Sequence, residues 1–151
     1  MKFLVDTSVL VSVDRHDGET RDKMEALEGE HTLYLSVVGM MEILTGANLR
    51  LDKEVAIKRV KKIVAHMDLI PITQEIAEKA SEINAYLIQT GQIIEVADML
   101  MSASCIVENL NGILTFNKDH FVRIPALKDS VFTPAEATIA FNTSQPDQED
   151  K

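Results

Sequence analysis

Lys2-Phe3-Leu4-Val5-Asp6-Thr7-Ser8-Val9-Leu10 decides how the rest of the chain is read. A short apolar run ends on an acid, and two hydroxyl residues then lead into a new apolar segment. That order reads as a strand handing over to a helix. Further short apolar segments repeat the pattern. They are Leu33-Tyr34-Leu35 ending at Ser36, Leu69-Ile70-Pro71-Ile72 ending at Thr73, Ile113 to Phe116, and Val131-Phe132 ending at Thr133. Helical patterns separate them. Strands alternating with helices predict an α/β fold with a mostly parallel, about five-stranded sheet covered on both faces. Pro71 has no N–H for a ladder, so the third strand is expected at an edge, or ending there.

The helices follow from spacing. Val60, Ile63, Val64 and Met67 make one apolar stripe, with Lys58, Arg59, Lys61 and Lys62 on the opposite face. Ile76, Ala80, Ile83 and Leu87 make a second, started by Thr73 and stopped by Gly91. Ala97, Leu100, Ala103, Ser104, Val107 and Leu110 make a third, with Asn111-Gly112 expected as its C-cap. Thr133-Pro134-Ala135-Glu136 has the form of a capping box with proline at the first helical position. Arg21 to Leu27 reads as a shorter helix with Met24 and Leu27 inward.

The 151 residues, 46% of them hydrophobic, suit one domain with one core, expected over residues 1–141. Residues 142–151 contain no large apolar side chain and are expected to be a disordered acidic tail. No apolar run approaches the about 20 residues of a membrane span, and Asp6 comes too early for a signal peptide. The lone Cys105, near Met101 and Ile106, reads as a packed thiol, which fits a cytoplasmic protein. A formal charge of −9 argues against a protein that coats nucleic acid through a basic surface. It leaves room for a nuclease, because acids that hold cations add negative charge to the count.

Three carboxylates lie in apolar surroundings. Asp6 closes the first strand, Glu42 sits within Ser36-Val37-Val38-Gly39-Met40-Met41-Glu42-Ile43-Leu44, and Asp98 within Val96-Ala97-Asp98-Met99-Leu100-Met101. A fourth polar position, Asn117 or Asp119, follows the fourth strand. Buried carboxylates are costly unless paired, and converging ones repel unless a cation neutralises them. In a parallel sheet, residues after strands and at helix N-termini face one edge, so all four positions are candidates for one cleft. Each also has a plainer reading. Asp6 before Thr7-Ser8 could cap a helix, and Asp98 could complement a helix dipole. Glu95 could be an outer partner of a metal or a solvated cap. Thr7, Ser8 and Thr115 could orient the carboxylates or cap helices.

Val5-Asp6-Thr7-Ser8-Val9-Leu10, Ser36 to Gly46, Ala97-Asp98-Met99-Leu100-Met101-Ser102-Ala103, and Leu114-Thr115-Phe116-Asn117-Lys118-Asp119-His120-Phe121 followed by Ile124-Pro125 resemble the four motifs of PIN-domain proteins. The resemblance runs from Lys2 to about Thr133 and is strongest to the single-domain VapC-type toxins. It implies a three-layer α/β/α sandwich and a Mg²⁺- or Mn²⁺-dependent endoribonuclease. Asp6, Glu42 and Asp98 match the family's regular acids and would be the metal ligands. Asn117 stands where many members carry an acid, with Asp119 two residues on, so the completing residue is one of these two. The resemblance further implies an RNA substrate, a small VapB-like antitoxin and a homodimer. Lys118, Arg123, Arg15 and the Lys58-to-Lys62 face are candidate guides for RNA.

Two other classes compete. A non-catalytic PIN-like module that binds RNA or protein is favoured by Asn117. A phosphoryl-transfer hydrolase would want a second acid two residues after Asp6, where Ser8 stands, and a response receiver would want paired acids that are absent. The scattered histidines His16, His31, His66 and His120 have no metal-ligand spacing, and His120 lies nearest the expected cleft.

Overall fold

All strand pairs are parallel, in the order β3-β2-β1-β4-β5, in a computed structural model that describes residues 1–143. The strands are β1 (Lys2–Val5), β2 (Thr32–Ser36), β3 (Asp68–Ile70), β4 (Gly112–Leu114) and β5 (Val131–Phe132). The helices are α1 (Thr7–Asp14), α2 (Gly18–Glu30), α3 (Val37–Asn48), α4 (Lys53–Val64), α5 (Gln74–Gln89), α6 (Val96–Val107), α7 (Lys118–Phe121) and α8 (Pro134–Phe141), with a 3₁₀ turn at Pro125–Leu127. The chain lays β2 and β3 on one side of β1, then returns to lay β4 and β5 on the other. The reversal falls between β1 and β4, the place where parallel sheets open a crevice beyond their carboxyl ends.

Strand alternation divides the core. Phe3 and Val5 point to one face, where Val9, Leu10, Met24, Leu27, Ile43, Val60 and Ala137 bury against them from α1, α2, α3, α4 and α8. Leu4 points to the other, under Ile76, Ile83 and Leu87 of α5, Met101 and Cys105 of α6, and Phe121 of α7. The result is the expected three-layer sandwich. Truncating a fully buried leucine such as Leu4 to alanine would cost about 2–5 kcal/mol. Burial pushes the Cys105 thiol up to about 12, so it stays protonated and inert. No helix among the described residues is long and apolar enough to cross a membrane.

The α5 stripe buries the four expected residues, and Thr73 caps the helix by accepting from the Ile76 N–H. The capping box of α8 is complete. β3 is an edge strand, and it stops at Ile70, before Pro71.

Other expectations need correction. α2 is a full 13-residue helix, because Asp17 caps it at Thr20, well before Arg21. α6 ends at Val107, and Asn109, at φ 52°, takes the left-handed position expected of Gly112. Gly112 lies in β4 instead: a Cβ there would stand 2.5 Å from the Ser130 carbonyl oxygen, so only glycine lets β4 and β5 close. α6 is buried on more than one side, including Met99, Met101, Ser102 and Cys105, while Ala97, Leu100 and Val107 are only partly covered. Ser102 and Ser104 are tolerated there because their hydroxyls donate to the Asp98 and Leu100 carbonyls. The described residues run two positions past the expected domain end. Asn142 donates to the Ala26 carbonyl, and the Thr143 N–H donates to Glu30. The rest of the expected tail, 144–151, lies outside the described residues.

Candidate active site

Asp6 occupies the N-cap position of α1, yet its side chain makes no capping bond. Its N–H donates to the Leu114 carbonyl (2.9 Å), which locks the end of β1 to the end of β4. The residue is 3% exposed, and Oδ2 accepts from both Ser8 Oγ and Thr115 Oγ1 at 2.7 Å. The hydroxyls are themselves oriented from the main chain: the Phe116 N–H donates to Ser8 Oγ (3.0 Å) and the Asn117 N–H to Thr115 Oγ1 (2.8 Å). Both hydroxyls donate to the same Asp6 oxygen, which fixes the plane of the carboxylate. Ser8 and Thr115 thus do both things expected of them: each accepts a main-chain N–H and donates to Asp6.

Glu42 sits in the second turn of α3 and accepts from Thr7 Oγ1 at 3.0 Å. Gly39, one turn earlier, makes this possible: a Cβ would meet Leu35 Cδ1 at 3.0 Å and Thr7 Oγ1 at 3.5 Å. Asp98 lies in the first turn of α6 with a 15% exposed side chain, and its Oδ2 is 2.7 Å from His120 Nδ1.

The acids feel one another. Burial raises the Glu42 carboxyl above its ordinary value; the Thr7 hydrogen bond opposes this, and the charges of Asp6, Asp98 and Glu95 add to it. Burial also raises Asp98; the His120 hydrogen bond opposes this, and Asp6 and Glu95 repel its charged form. Glu95 itself is exposed at the N-cap of α6 and makes no capping bond. Among the described residues, no lysine or arginine pairs with Asp6, Glu42 or Asp98. Lys118 is bound to both oxygens of Glu136, Arg59 to Asp14, and Arg123 to the Ile93 carbonyl.

An all-oxygen, anionic donor set with no lysine or arginine partner among the described residues suits a hard divalent cation rather than a soft one. The acids do not yet meet at a point: among the described residues, no three His, Cys, Asp or Glu side chains converge closely enough to hold a metal ion as they stand. Each has its own partner: Asp6 two hydroxyls, Glu42 the Thr7 hydroxyl and Asp98 the His120 imidazole. Asn117 and Asp119 are both exposed, Asn117 before α7 and Asp119 within its first turn. Asn117 reaches the Asp6 network through its main chain only. A hollow of about 270 Å³ lies elsewhere and is lined by none of these acids; Leu10, Val13, Met24, Ile63 and Met67 line it with Lys62.

A parallel five-stranded sheet packed between helices on both faces, with Asp6 at the end of its central strand, defines an α/β protein. Residues 3–127 match the model of the PIN domain family, and the chain belongs to that family. It is 29% identical over 123 residues to Ribonuclease VapC1 of Methanocaldococcus jannaschii, covering 82% of this chain and 81% of that protein. Among solved structures, VapBC2 from Rickettsia felis bound to a promoter DNA fragment superposes with a TM-score of 0.81 at 23% identity, covering 88% of this chain and 98% of that one. FitAcB from Neisseria gonorrhoeae gives a TM-score of 0.73 at 22% identity, covering 88% and 98%. At these identities the structural likeness speaks for the fold.

Proposed function

We propose that this chain is a divalent-cation-dependent endoribonuclease, the toxin of a VapBC-type pair, and acts in the cytoplasm. The observation that carries this reading is the placement of the buried Asp6 and the partly buried Glu42 and Asp98 at one edge of the sheet with no lysine or arginine partner among the described residues. Likeness to the archaeal Ribonuclease VapC1 supports RNA as the substrate. Likeness to the VapBC and FitAcB structures supports a small antitoxin as partner.

Asp6, Asp98 and Glu42 would hold a Mg²⁺ or Mn²⁺ ion, with Asn117 or Asp119 completing the site. When bound, the cation supplies a water activated near neutral pH and neutralises charge developing on the phosphate. The protein's own contribution is placement. Ser8 and Thr115 hold the Asp6 carboxylate in plane, and Thr7 keeps Glu42 turned toward α1. Glu42, whose proton affinity is raised, is suited to take a proton from the attacking water. The anionic cleft would attract a basic side chain of an inhibitory partner, and the apolar hollow along α1, α2 and α4 offers surface for its remaining contacts. We assign the homodimer and the one-domain organisation of residues 1–141 on the family's pattern.

The test is a cleavage assay on total RNA with Mn²⁺, with and without chelator. Wild type should cleave and the chelator should stop it, while D6N and D98N should lose activity by at least about a hundredfold with unchanged folding. A second reading, a non-catalytic binding module, is favoured by the exposed Asn117 and by the lack of convergence among the acids. It predicts intact RNA at every Mn²⁺ concentration.

A further inference from the structure

Of the five phenylalanines, four are packed. Phe3 and Phe121 are fully buried, and Phe132 and Phe141 join Phe3 in a ring cluster with centroids 5.1–6.3 Å apart. Phe116 is the exception, 46% exposed. Its main chain holds it there. The Phe116 N–H donates to Ser8 Oγ (3.0 Å), and the same hydroxyl donates to Asp6 Oδ2 (2.7 Å). On either side, the Thr115 N–H donates to the Phe132 carbonyl (2.9 Å) and the Asn117 N–H to Thr115 Oγ1 (2.8 Å). An aromatic ring is thus offered to solvent from a backbone tied, two hydrogen bonds away, to a candidate catalytic carboxylate.

Beside the ring is a hollow of about 160 Å³, lined by Thr20, Lys23, Pro134 and Ala135 with Asp17 and Glu19. The two acids disfavour a bare anion, and the Asp17 carboxylate already accepts from Thr20 and Ser12. The hollow instead offers a flat ring, the apolar face of Pro134, and Lys23, which makes no ion pair among the described residues. A planar neutral heterocycle with a phosphate at its edge fits that combination, because nucleobases stack on exposed aromatic rings whatever their sequence.

Resting on the ribonuclease reading, the geometry points to Phe116 as a stacking platform for one unpaired base of single-stranded RNA beside the phosphate to be cut, with Lys23 alongside that nucleotide's backbone. Base-paired RNA keeps its bases stacked on one another and cannot use the platform, so the residue selects for unpaired substrate.

The chain has no tryptophan, so F116W introduces a single fluorescent reporter. A ten-nucleotide single-stranded RNA, with Ca²⁺ replacing Mn²⁺ to slow cleavage, should quench that tryptophan, and the same sequence as a duplex should quench it far less. In Mn²⁺ kinetics on single-stranded RNA, F116L should raise KM by about tenfold, with kcat within about twofold and the unfolding midpoint unchanged. F116W, which keeps an aromatic face, should hold KM within about threefold of wild type. An unchanged KM in F116L, or a tryptophan blind to single-stranded RNA, overturns the proposal. So does an F116L variant that loses only the binding of a protein inhibitor, which would make the ring a protein contact. Wild type that cleaves RNA while F116L is unaltered rejects the platform alone; wild type that cleaves no RNA rejects the ribonuclease reading with it.

Discussion

His120 Nδ1 stands 2.7 Å from Asp98 Oδ2 and so joins the short helix α7 to the first turn of α6. The two residues are 22 positions apart, and α7 has only four residues, so this bond is a main link between the loop after β4 and the acid on α6. It engages one carboxylate oxygen and leaves the other open.

If His120 orients Asp98 for a cation, H120F should lower Mn²⁺ affinity by about 10- to 100-fold while changing thermal stability little. H120N places an N–H where Nδ1 stands and should recover most of the loss. Calorimetric titration with Mn²⁺ measures both. Equal affinity in wild type and H120F would mean that the imidazole only anchors the loop.

Glu42 and Asp98 carry proton affinities raised above their ordinary values of 4.5 and 3.8. A carboxyl raised in the folded state binds its proton more tightly there than in the unfolded chain. Its contribution to stability is fully present below the unfolded value and is lost as pH rises through the folded one. At neutral pH the ionised acids therefore cost stability. E42Q keeps an oxygen for the Thr7 hydroxyl but removes the charge, and should raise the melting temperature at pH 7 by a few degrees. That gain should shrink as pH falls toward 4.5 and be gone below it. Melting curves between pH 4 and pH 7, on the order of the ordinary carboxyl range and above, decide it: no gain at pH 7 means the repulsion is not felt.

Thr115 is completely buried, donates to Asp6 and accepts from the Asn117 N–H. T115V keeps the shape and deletes both bonds, leaving polar groups unpaired. It should cost about 1–3 kcal/mol in chemical denaturation, while T115S should cost less. A neutral T115V would show that water replaces the hydroxyl.

Gly112 and Gly29 make opposite demands. At Gly112 an added Cβ meets the Ser130 carbonyl oxygen at 2.5 Å and the Phe132 ring at 2.9 Å, so G112A should cost about 1–3 kcal/mol. At Gly29, inside α2, nothing lies within 4 Å of the added Cβ, and G29A should stabilise by about 0.5–1 kcal/mol. Denaturation of the two variants side by side tests how tightly β4 and β5 close.

The layered fold was legible because the signals were local. Thr73 with Ile76, Ala80, Ile83 and Leu87 writes both the cap and the buried face of α5 into adjacent positions. The βα order then places Asp6, Glu42 and Asp98 at one edge of the sheet without any further information. α6 was harder, since a helix packed on several sides has no single stripe to read. The role of Gly112 is hidden for a similar reason: its demand comes from Ser130, just before β5, and nothing beside it in sequence records that contact. Around the acids, residue types were readable but partners were not. Ser8 and Thr115 meet on one oxygen of Asp6 only because β1 and β4 are neighbours, and His120 reaches Asp98 only because α7 docks on α6.

The central claim is that Asp6, Glu42 and Asp98 together form a cation site. It is tested most directly by calorimetric titration of Mn²⁺ into wild type and into the D6N/D98N double variant at pH 7. The account predicts saturable binding to wild type and its loss in the folded double variant. Binding of equal strength to both proteins, or no binding to wild type, would contradict it.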